Sequence, residues 1–203
     1  MKHGWGLLVI VLFWTSGIVM AATWNQPTKA GRVLYCADVH AVGYPTVEGI
    51  RYLDQLVQEQ TEGRIQIKVY DLSILGSEES VVEMVKLGAL DMGRISASQL
   101  AEVDPDFGLL LLPYLFADDA HKWKVLNGPI GQRLLDNLRK FGIVGLCFQE
   151  AGYRSFYNSK RPIRKPEDLK GLKMRVQPSY KMMDLIEFLG AVPIPIDYGE
   201  VYL

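Results

Sequence analysis

The chain has 203 residues, with 22 Lys and Arg against 23 Asp and Glu, and a formal net charge of −1 at neutral pH. Charges of both signs are interspersed, so the chain lacks the basic stripe that neutralises phosphates, and nucleic acid is not expected as a partner. A chain of this length can bury a core and form one large domain or two small ones.

The N-terminal segment has the pattern of a secretory signal. Lys2 supplies a positive charge, residues 7–14 are uninterruptedly apolar, and Val19-Met20-Ala21 offers the small side chains of a cleavage site. A membrane anchor is the competing interpretation, but residues 15–17 interrupt the run well short of the roughly 20 apolar residues that a spanning helix needs. We therefore expect residues 1–21 to be removed as a signal peptide and the mature protein to be periplasmic.

Cys36 and Cys147 are the two cysteines. An even count in an oxidising compartment permits a disulfide. Two isolated cysteines in apolar, strand-like segments are more often buried thiols, and this interpretation is favoured. Neither cysteine has the spacing of a metal-binding pair, and no metal or cofactor is expected.

Strands and helices alternate along the first part of the chain. Residues 33–37 are a short apolar run, apolar residues at helical spacing follow from Pro45, and residues 65–70 alternate like a strand. Ser77 is placed to cap a helix, and residues 90–95 return as a strand. This order predicts a parallel sheet covered by helices.

The middle of the chain is strongly apolar. Residues 109–112 are the most hydrophobic stretch after the signal, so we expect them to be buried. Two helices are predicted at 118–127 and 129–141, followed by a buried strand at 143–148. The chain then changes character, and we expect a crossover between domains near residues 150–153.

Strand signals continue after the crossover. Residues 154–158 and 172–176 are predicted strands, and a helix at 179–189 leads into a further strand at 191–196. Asp197 with Glu200 three residues later resembles a capping box, which opens a helix. Because the sequence ends within about one turn of that start, it is expected to be cut short.

No enzyme constellation emerges from the sequence. The three histidines are His3, His40 and His121, and neither a nucleophile elbow nor a phosphate-binding glycine loop is present. The carboxylate pairs Glu78-Glu79 and Asp118-Asp119 stand at helix starts, where capping explains them. We therefore expect a binding protein and not an enzyme.

Two arginines stand out in the later strands. In the strand at 172–176 the apolar side chains share one face and Arg175 lies on the other, while Arg154 lies in the preceding strand-like segment. A guanidinium in such a place needs a partner, and its planar fork suits a carboxylate. The pattern alone leaves open whether that partner is a ligand or a protein Asp or Glu.

Five segments together resemble the solute-binding proteins of TRAP transporters, the DctP family. They are PEDLKGLKMRV (166–176), LGSEESVVEMVKLGALDMG (75–93), LPYLFADDAH (112–121), GYRSFYNSKRPI (152–163) and LGAVPIPIDYGEVYL (189–203). Each is moderate evidence alone, but all five follow the order and spacing of the family. The resemblance covers nearly the whole chain after the signal.

The resemblance implies an α/β fold with two periplasmic-binding-protein-like lobes, whose parallel or mixed sheets are flanked by helices. Residues 22–150 would form the first lobe and residues 151–203 a partial, incomplete second lobe. Such a protein captures an organic acid, for example a C4-dicarboxylate, a 2-oxo acid, a sugar acid or sialic acid. It delivers the ligand to the small and large membrane subunits of the transporter.

The resemblance also implies roles for particular residues. Arg175 would grip the ligand carboxylate and Arg154 would be a second cationic contact. Ligand contacts from the first lobe would come from Arg94, Ser96 and the loop that holds Asp38 and His40. A third cation at Arg94 would favour a dianionic ligand, whereas a solvated loop arginine is the alternative.

The family pattern continues beyond the residues present here, with a helix and an Asp-Gly-x-Glu-Asn strand that brings a polar residue to the ligand. Two further interpretations therefore stay open. The chain could be a truncated remnant without activity, or the ligand-binding module of a sensor with the same fold.

Overall fold

The computed structural model describes residues 31–201. The predicted signal peptide and its cleavage site lie outside the described residues, as do Tyr202 and Leu203. Between residues 31 and 201, none of the helices combines the length and the apolar character required to cross a membrane.

The described residues form five strands, six α-helices and several short 3₁₀ helices. In chain order the strands are β1 (Arg32–Ala37), β2 (Ile65–Tyr70), β3 (Met92–Gly93), β4 (Lys173–Val176) and β5 (Val192–Pro195). The α-helices are α1 (Pro45–Gln60), α2 (Glu78–Lys86), α3 (Ala97–Leu100), α4 (Asp119–Leu126), α5 (Pro129–Asn137) and α6 (Tyr180–Phe188). The 3₁₀ helices are Pro105–Leu111, Leu138–Phe141, Pro166–Leu169 and Tyr198–Glu200.

The first sheet has the order β2-β1-β3, and both of its strand pairs are parallel, which confirms the sequence prediction. Cys36 of β1 packs with apolar residues of α1, whereas the adjacent Ala37 packs with residues of α2. Because neighbouring residues of a strand point to opposite faces, α1 and α2 cover the two faces of this sheet. The end of β1 is consequently enclosed on both sides.

The predicted starts of α1 and α2 are confirmed, whereas Asp197 precedes the 3₁₀ helix Tyr198–Glu200 without a capping hydrogen bond from its side chain among the described residues. Pro45 is the first residue of α1, and the Ser77 side chain accepts a hydrogen bond from the backbone N–H of Ser80 at the start of α2. Gly142 closes the helical stretch before it with φ +79°, a conformation that glycine adopts without strain.

The second sheet pairs β4 with β5 in parallel, from Lys173 opposite Val192 to Val176 opposite Pro195. Its core contains Leu172, Met174, Val176 and Ala191 from the sheet side, and α6 contributes Met182 and Ile186. Helix α6 therefore covers the face of β4 that carries Met174 and Val176. Arg175 projects from the opposite face, as the alternation of the strand predicts.

Polar contacts join the second sheet to the region around α3. Ser98 Oγ donates to Gln177 Oε1 at 2.7 Å, and Ser179 Oγ donates to Glu102 Oε1 at 2.7 Å. The backbone N–H of Tyr180 donates to the same Glu102 oxygen at 2.9 Å. Glu102 therefore holds the first residues of α6 against the first part of the chain.

The predicted strands at 143–148 and 154–158 are wrong for the described structure. Both segments lie outside the strands, and no residue from 144 to 158 forms a backbone-to-backbone hydrogen bond with another described residue. An apolar run becomes a strand only when a neighbouring strand meets its N–H and C=O groups. No described strand lies beside residues 144–158 to form these hydrogen bonds.

The predicted burial of residues 109–112 is also only partly correct. They lie at the end of the Pro105–Leu111 3₁₀ helix, where Leu110 and Leu111 are half-buried while Leu109 and Leu112 are more than half exposed. A short helix presents one face to the core, so consecutive residues cannot all be buried. The core residue of this element is Phe107, which is 1% exposed.

The two cysteines are free in the structure, Cys36 buried and Cys147 exposed. The prediction of a buried thiol is therefore confirmed for Cys36 and wrong for Cys147, whose segment is not a paired strand. Burial, reinforced by the charge of Asp38, raises the pKa of the Cys36 thiol to about 12. This thiol is therefore neutral and unreactive at ordinary pH.

Gly93 of β3 fixes the distance between the first sheet and α2. A Cβ at this position would lie 2.6 Å from Cγ1 of the buried Val81. We predict that Gly93→Ala lowers the free energy of unfolding by about 1–3 kcal/mol through overpacking. Gly108→Ala is the matched control, because its Cβ would meet only the Lys181 side chain at 3.6 Å. Urea denaturation of both variants checks this, and equal effects would contradict the role of Gly93.

Candidate functional site

A cavity of ≈ 340 Å³ lies between the carboxyl ends of the two sheets. On one side it is lined by Val39, which follows β1, and by residues 76–78 at the start of α2. On the other side it is lined by Arg175 of β4 and by residues 197–200, which follow β5. Ligands of open α/β sheets bind at this end of the strands, and the volume lies in the range of small-molecule sites, about 300–1,000 Å³.

Arg175 is the cation that lines this cavity. Its Nε and Nη2 donate to the backbone carbonyl of Ile196 at 2.9 and 2.6 Å, which holds the guanidinium in place. Within residues 31–201 the ion pairs of the structure do not include Arg175, and none of its hydrogen bonds uses Nη1. The sequence left open whether Arg175 pairs with a ligand or with a protein Asp or Glu. Among the described residues, no Asp or Glu forms an ion pair with it.

Arg154 lies close to Arg175 but does not itself line the cavity. It is exposed, and its Nη2 donates to Gln177 Oε1 at 2.8 Å. Gln177 does line the cavity and also accepts a hydrogen bond from Ser98. Burial lowers the pKa of Arg175, and the positive charge of Arg154 lowers it further. An anion bound beside Arg175 would relieve this repulsion.

Asp38 forms the centre of a buried polar network at the end of β1. Its side chain is 0% exposed, and Arg94 donates to both carboxylate oxygens, from Nε at 3.1 Å and from Nη2 at 2.8 Å. Thr46 Oγ1 donates to Oδ2 at 2.8 Å, and the backbone N–H of His40 donates to Oδ1 at 3.0 Å. The His40 ring nitrogen Nδ1 contacts Asp38 Oδ1 at 2.8 Å and also touches Arg94.

The network decides the charge of the Asp38 side chain. Burial alone would raise the pKa of this carboxyl, but the hydrogen bonds from His40 and Arg94 and the charge of Arg94 outweigh burial. The pKa of Asp38 therefore lies well below its usual range. Burial would likewise lower the pKa of Arg94, yet its bond to Asp38 and the charges of Glu78 and Asp38 raise it. Both groups are ionised together.

Glu78 connects this network to the cavity. Its Oε1 pairs with Arg94 Nη1 at 2.9 Å and accepts the backbone N–H of Ser96 at 3.1 Å, while Ser96 Oγ donates to Oε2. Unlike its partners, Glu78 lines the cavity. The structure thus places Asp38, His40, Arg94 and Ser96 together, behind Glu78 and outside the cavity lining.

The environment of Arg94 rules out the solvated-loop alternative, while its contact with a ligand stays a prediction. Its side chain is only 11% exposed, so it is not a solvated loop arginine. Its charge is taken up by Asp38 and Glu78, so it adds no free positive charge to the cavity. The inference of a dianionic ligand from a third cation therefore loses its basis.

Glu78 and Gln177 are two of the polar cavity residues that sequence reasoning missed; the others are Ser73, Ser77, Gln99, Asp197, Tyr198 and Glu200. Glu78 was explained as a helix-start carboxylate, which is correct as far as its position goes. A sequence signal did exist, because the segment that joins a predicted parallel strand, which ends at residue 70, to the next helix contains Glu78 at its end, and binding loops lie in such segments. Gln177 has the same signal, one residue beyond β4. Neither signal specifies which residue faces the cavity.

Tyr198 brings the segment after β5 against the first sheet. Its ring lies 4.3 Å from the ring of His40, which in turn stacks on Tyr44 at 3.9 Å. Gly199 approaches Ser73 closely, since a Cβ there would lie 3.1 Å from Ser73 Oγ. Residues 197–200 therefore contact both sides of the cavity.

Two parallel α/β sheets with a polar cavity between their carboxyl ends agree with the two-lobed fold of solved periplasmic solute-binding proteins, of which the second lobe is partly present here. The chain belongs to the DctP family, the bacterial extracellular solute-binding proteins of family 7, whose model matches residues 36–203. The family is described as one of extracellular solute-binding proteins, and the similar proteins include periplasmic ones. The family membership confirms the resemblance drawn from the five sequence segments.

Several known proteins are similar to this chain. A TRAP periplasmic solute-binding protein from Xanthobacter autotrophicus Py2, solved with bound β-D-galacturonate, is 45% identical with a TM-score of 0.79 over 83% of this chain. The 2,3-diketo-L-gulonate-binding periplasmic protein YiaO of Escherichia coli K12 is 36% identical over 73% of this chain. The C4-dicarboxylate-binding periplasmic protein DctP of Rhodobacter capsulatus is 34% identical over 84%.

The chain spans about half the length of these relatives. It covers 45% of the Escherichia coli protein, 51% of the Rhodobacter capsulatus protein and 56% of the Xanthobacter autotrophicus chain. The part matched by the family model begins at residue 36, within β1, and includes β2 to β5 and every residue that lines the cavity.

The buried ion pair leads to a stability prediction. Arg94→Met should lower the free energy of unfolding by about 3–5 kcal/mol, because it removes the cation that compensates the buried Asp38. Arg133→Met is the control, since Arg133 is exposed on α5 and its loss should change stability by less than about 0.5 kcal/mol. Urea denaturation at neutral pH measures both, and similar values for the two variants would contradict the role assigned to Arg94.

The lowered pKa of Asp38 predicts a pH dependence. An unfolded Asp titrates near about 3.9, so the stability that Asp38 contributes is present above that pH and is lost as the pH falls towards the lower folded value. The gap in unfolding free energy between wild type and Asp38→Asn should therefore shrink below about pH 4. Denaturation curves at several pH values between neutral and about 2.5 test this. A gap that stays constant would show that Asp38 is not the titrating group.

Proposed function

We propose that this chain belongs to the extracytoplasmic solute-binding subunit of a TRAP-type transporter and captures a small organic acid between its two lobes. The observation that carries the proposal is the state of Arg175. This guanidinium is held in place by a backbone carbonyl, it lines the cavity, and no described carboxylate pairs with it. A ligand carboxylate is the group that best fits Nη1, which makes no hydrogen bond to another described residue.

The chemistry of capture follows from that arrangement. A carboxylate beside Arg175 would accept charge-assisted hydrogen bonds, each contributing about 1.5–3 kcal/mol. Its charge would also offset the repulsion between Arg175 and Arg154. Closer approach of the two lobes would exclude water and strengthen these contacts. Binding of this kind needs no acid, base or nucleophile, so we propose transport and not catalysis.

The relatives support the class of ligand. The proteins reported above bind or are named for galacturonate, 2,3-diketogulonate and C4-dicarboxylates, which share a carboxylate and differ in the rest of the molecule. We propose that Arg175 meets this shared group and that Arg154 assists it. For Asp38, His40, Arg94 and Ser96 we propose an indirect role, in which their network holds Glu78 at the cavity.

The proposal also covers the location and partners of the protein. We propose that residues 1–21 direct export and are removed, that the mature protein works in the periplasm, and that it delivers its ligand to the TRAP membrane subunits. Residues 22–150 and 151–203 would be the two lobes. The presence of one sheet in each of these ranges supports this division.

A titration of the variant Arg175→Ala tests the central role. We expect the affinity for D-galacturonate to fall by about one to three orders of magnitude, because the charge-assisted hydrogen bonds to the carboxylate are lost. Arg164→Ala is the control, since the exposed Arg164 lies outside the cavity lining and should leave affinity unchanged. Isothermal titration calorimetry measures all three proteins. Undiminished binding by Arg175→Ala would refute the proposal.

A further inference from the structure

The charges around the cavity are unequal. Among the described residues that line it, Arg175 is the one cation, whereas Glu78, Asp197 and Glu200 supply three carboxylates. Arg154 adds a second positive charge near Arg175, on the side of Gln177. Positive charge is therefore available for one ligand carboxylate. A second carboxylate elsewhere in the cavity would meet no unpaired cation among these residues.

The buried network holds the Glu78 side chain in position. Arg94 divides its guanidinium between Glu78 and the fully buried Asp38, so two carboxylates share one cation. The two carboxylates of Asp38 and Glu78 and the one guanidinium of Arg94 have a formal net charge of −1, with His40 left out of the count. Because Arg94 is only 11% exposed and bonded at all three nitrogens, it cannot turn towards a ligand without leaving Asp38 uncompensated.

The Glu78 carboxylate can still accept a hydrogen bond from a ligand. Its Oε1 already receives two donors, Arg94 Nη1 and the Ser96 N–H, while the hydroxyl of Ser96 is bound to Oε2. An ionised carboxylate offers about four acceptor sites, so Oε2 has capacity for another donor. A sugar hydroxyl is a donor of the right kind. A ligand carboxylate is an acceptor only, and it would also be repelled by the like charge.

We propose, on the basis of the function proposed above, that Glu78 is a specificity-determining residue that selects polyhydroxylated monocarboxylates and rejects dicarboxylates. Arg175 takes the single carboxylate, and Glu78 accepts a hydrogen bond from a hydroxyl on the remainder of the ligand. The buried Asp38–Arg94 pair prevents Arg94 from serving a second carboxylate. Selectivity then comes from a repulsive element as well as an attractive one.

The test compares ligands that differ only in their second carboxylate. D-Galactonate and galactarate have the same open carbon skeleton, with a terminal hydroxymethyl group in the first and a carboxylate in the second. Wild-type protein titrated in a calorimeter at neutral pH should bind galactarate at least about tenfold more weakly than D-galactonate, because juxtaposed like charges disfavour binding. Succinate serves as a second, shorter dicarboxylate and should also bind weakly.

The variant Glu78→Gln should reduce that ratio to about threefold or less, because it removes the negative charge while keeping the size of the side chain. Glu79→Gln is the matched control, as Glu79 is the exposed neighbour outside this cavity, and it should keep the wild-type ratio. Thermal unfolding of each variant verifies the fold. If Glu78→Gln does not fold, the test uses the affinity ratio of D-galactonate to galactarate in the wild type and in Glu78→Asp. Because Glu78→Asp conserves the negative charge, it should keep the preference for D-galactonate, and loss of that preference would contradict the proposal.

The outcomes separate the two proposals. Equal or tighter binding of galactarate by the wild type, or an unchanged ratio in folded Glu78→Gln, would overturn the role of Glu78 and leave carboxylate capture by Arg175 intact. Failure of the wild type to bind any of the acids would overturn the proposed function, and with it the selectivity.

Discussion

The buried ion pair between Asp38 and Arg94 is the interaction on which the first half of the site depends. Asp38 is completely enclosed at the end of β1, so its charge must be met inside the protein. Arg94 meets it from the end of β3, where the Arg94 N–H also donates to the Ala37 carbonyl at 2.9 Å. The same guanidinium reaches Glu78 at the start of α2. One cation therefore sets the relative positions of three chain segments around the cavity.

The second half of the site depends on a different constraint. Arg175 lies on the face of β4 opposite the core, and the carbonyl of Ile196 at the end of β5 directs its guanidinium. Pairing of β4 with β5 is thus what orients the arginine. Gln177 links this half to the first, because it accepts hydrogen bonds from both Ser98 and Arg154. The cavity is consequently formed between two sheets with unequal contributions of charge: Glu78 comes from the side of the first sheet, whereas Arg175, Asp197 and Glu200 come from the side of the second.

Much of the fold could be predicted from the sequence, and the failures have a common physical origin. The Ser77 cap, the start of α1 at Pro45 and the position of Arg175 on the strand face opposite the apolar residues depend on residues a few positions apart, and all were confirmed. The apolar run at 143–148 is locally indistinguishable from a buried strand. It forms a strand only if another strand pairs with it, and none of the described strands pairs with it.

The sequence by itself determined the alternation of strands and helices, the family and the presence of an unusual arginine on a strand face, because each is written in short spacings and in motifs. Only the tertiary structure decided what the charged residues do. Asp38 and Arg94 are 56 positions apart, and no spacing indicates that they pair. The structure shows Arg94 as an internal counter-ion of Asp38 and Glu78, while its contact with a ligand stays a prediction, and it shows that the helix-start carboxylate Glu78 lines the cavity. A charge takes its role from what surrounds it in space, which local sequence does not specify.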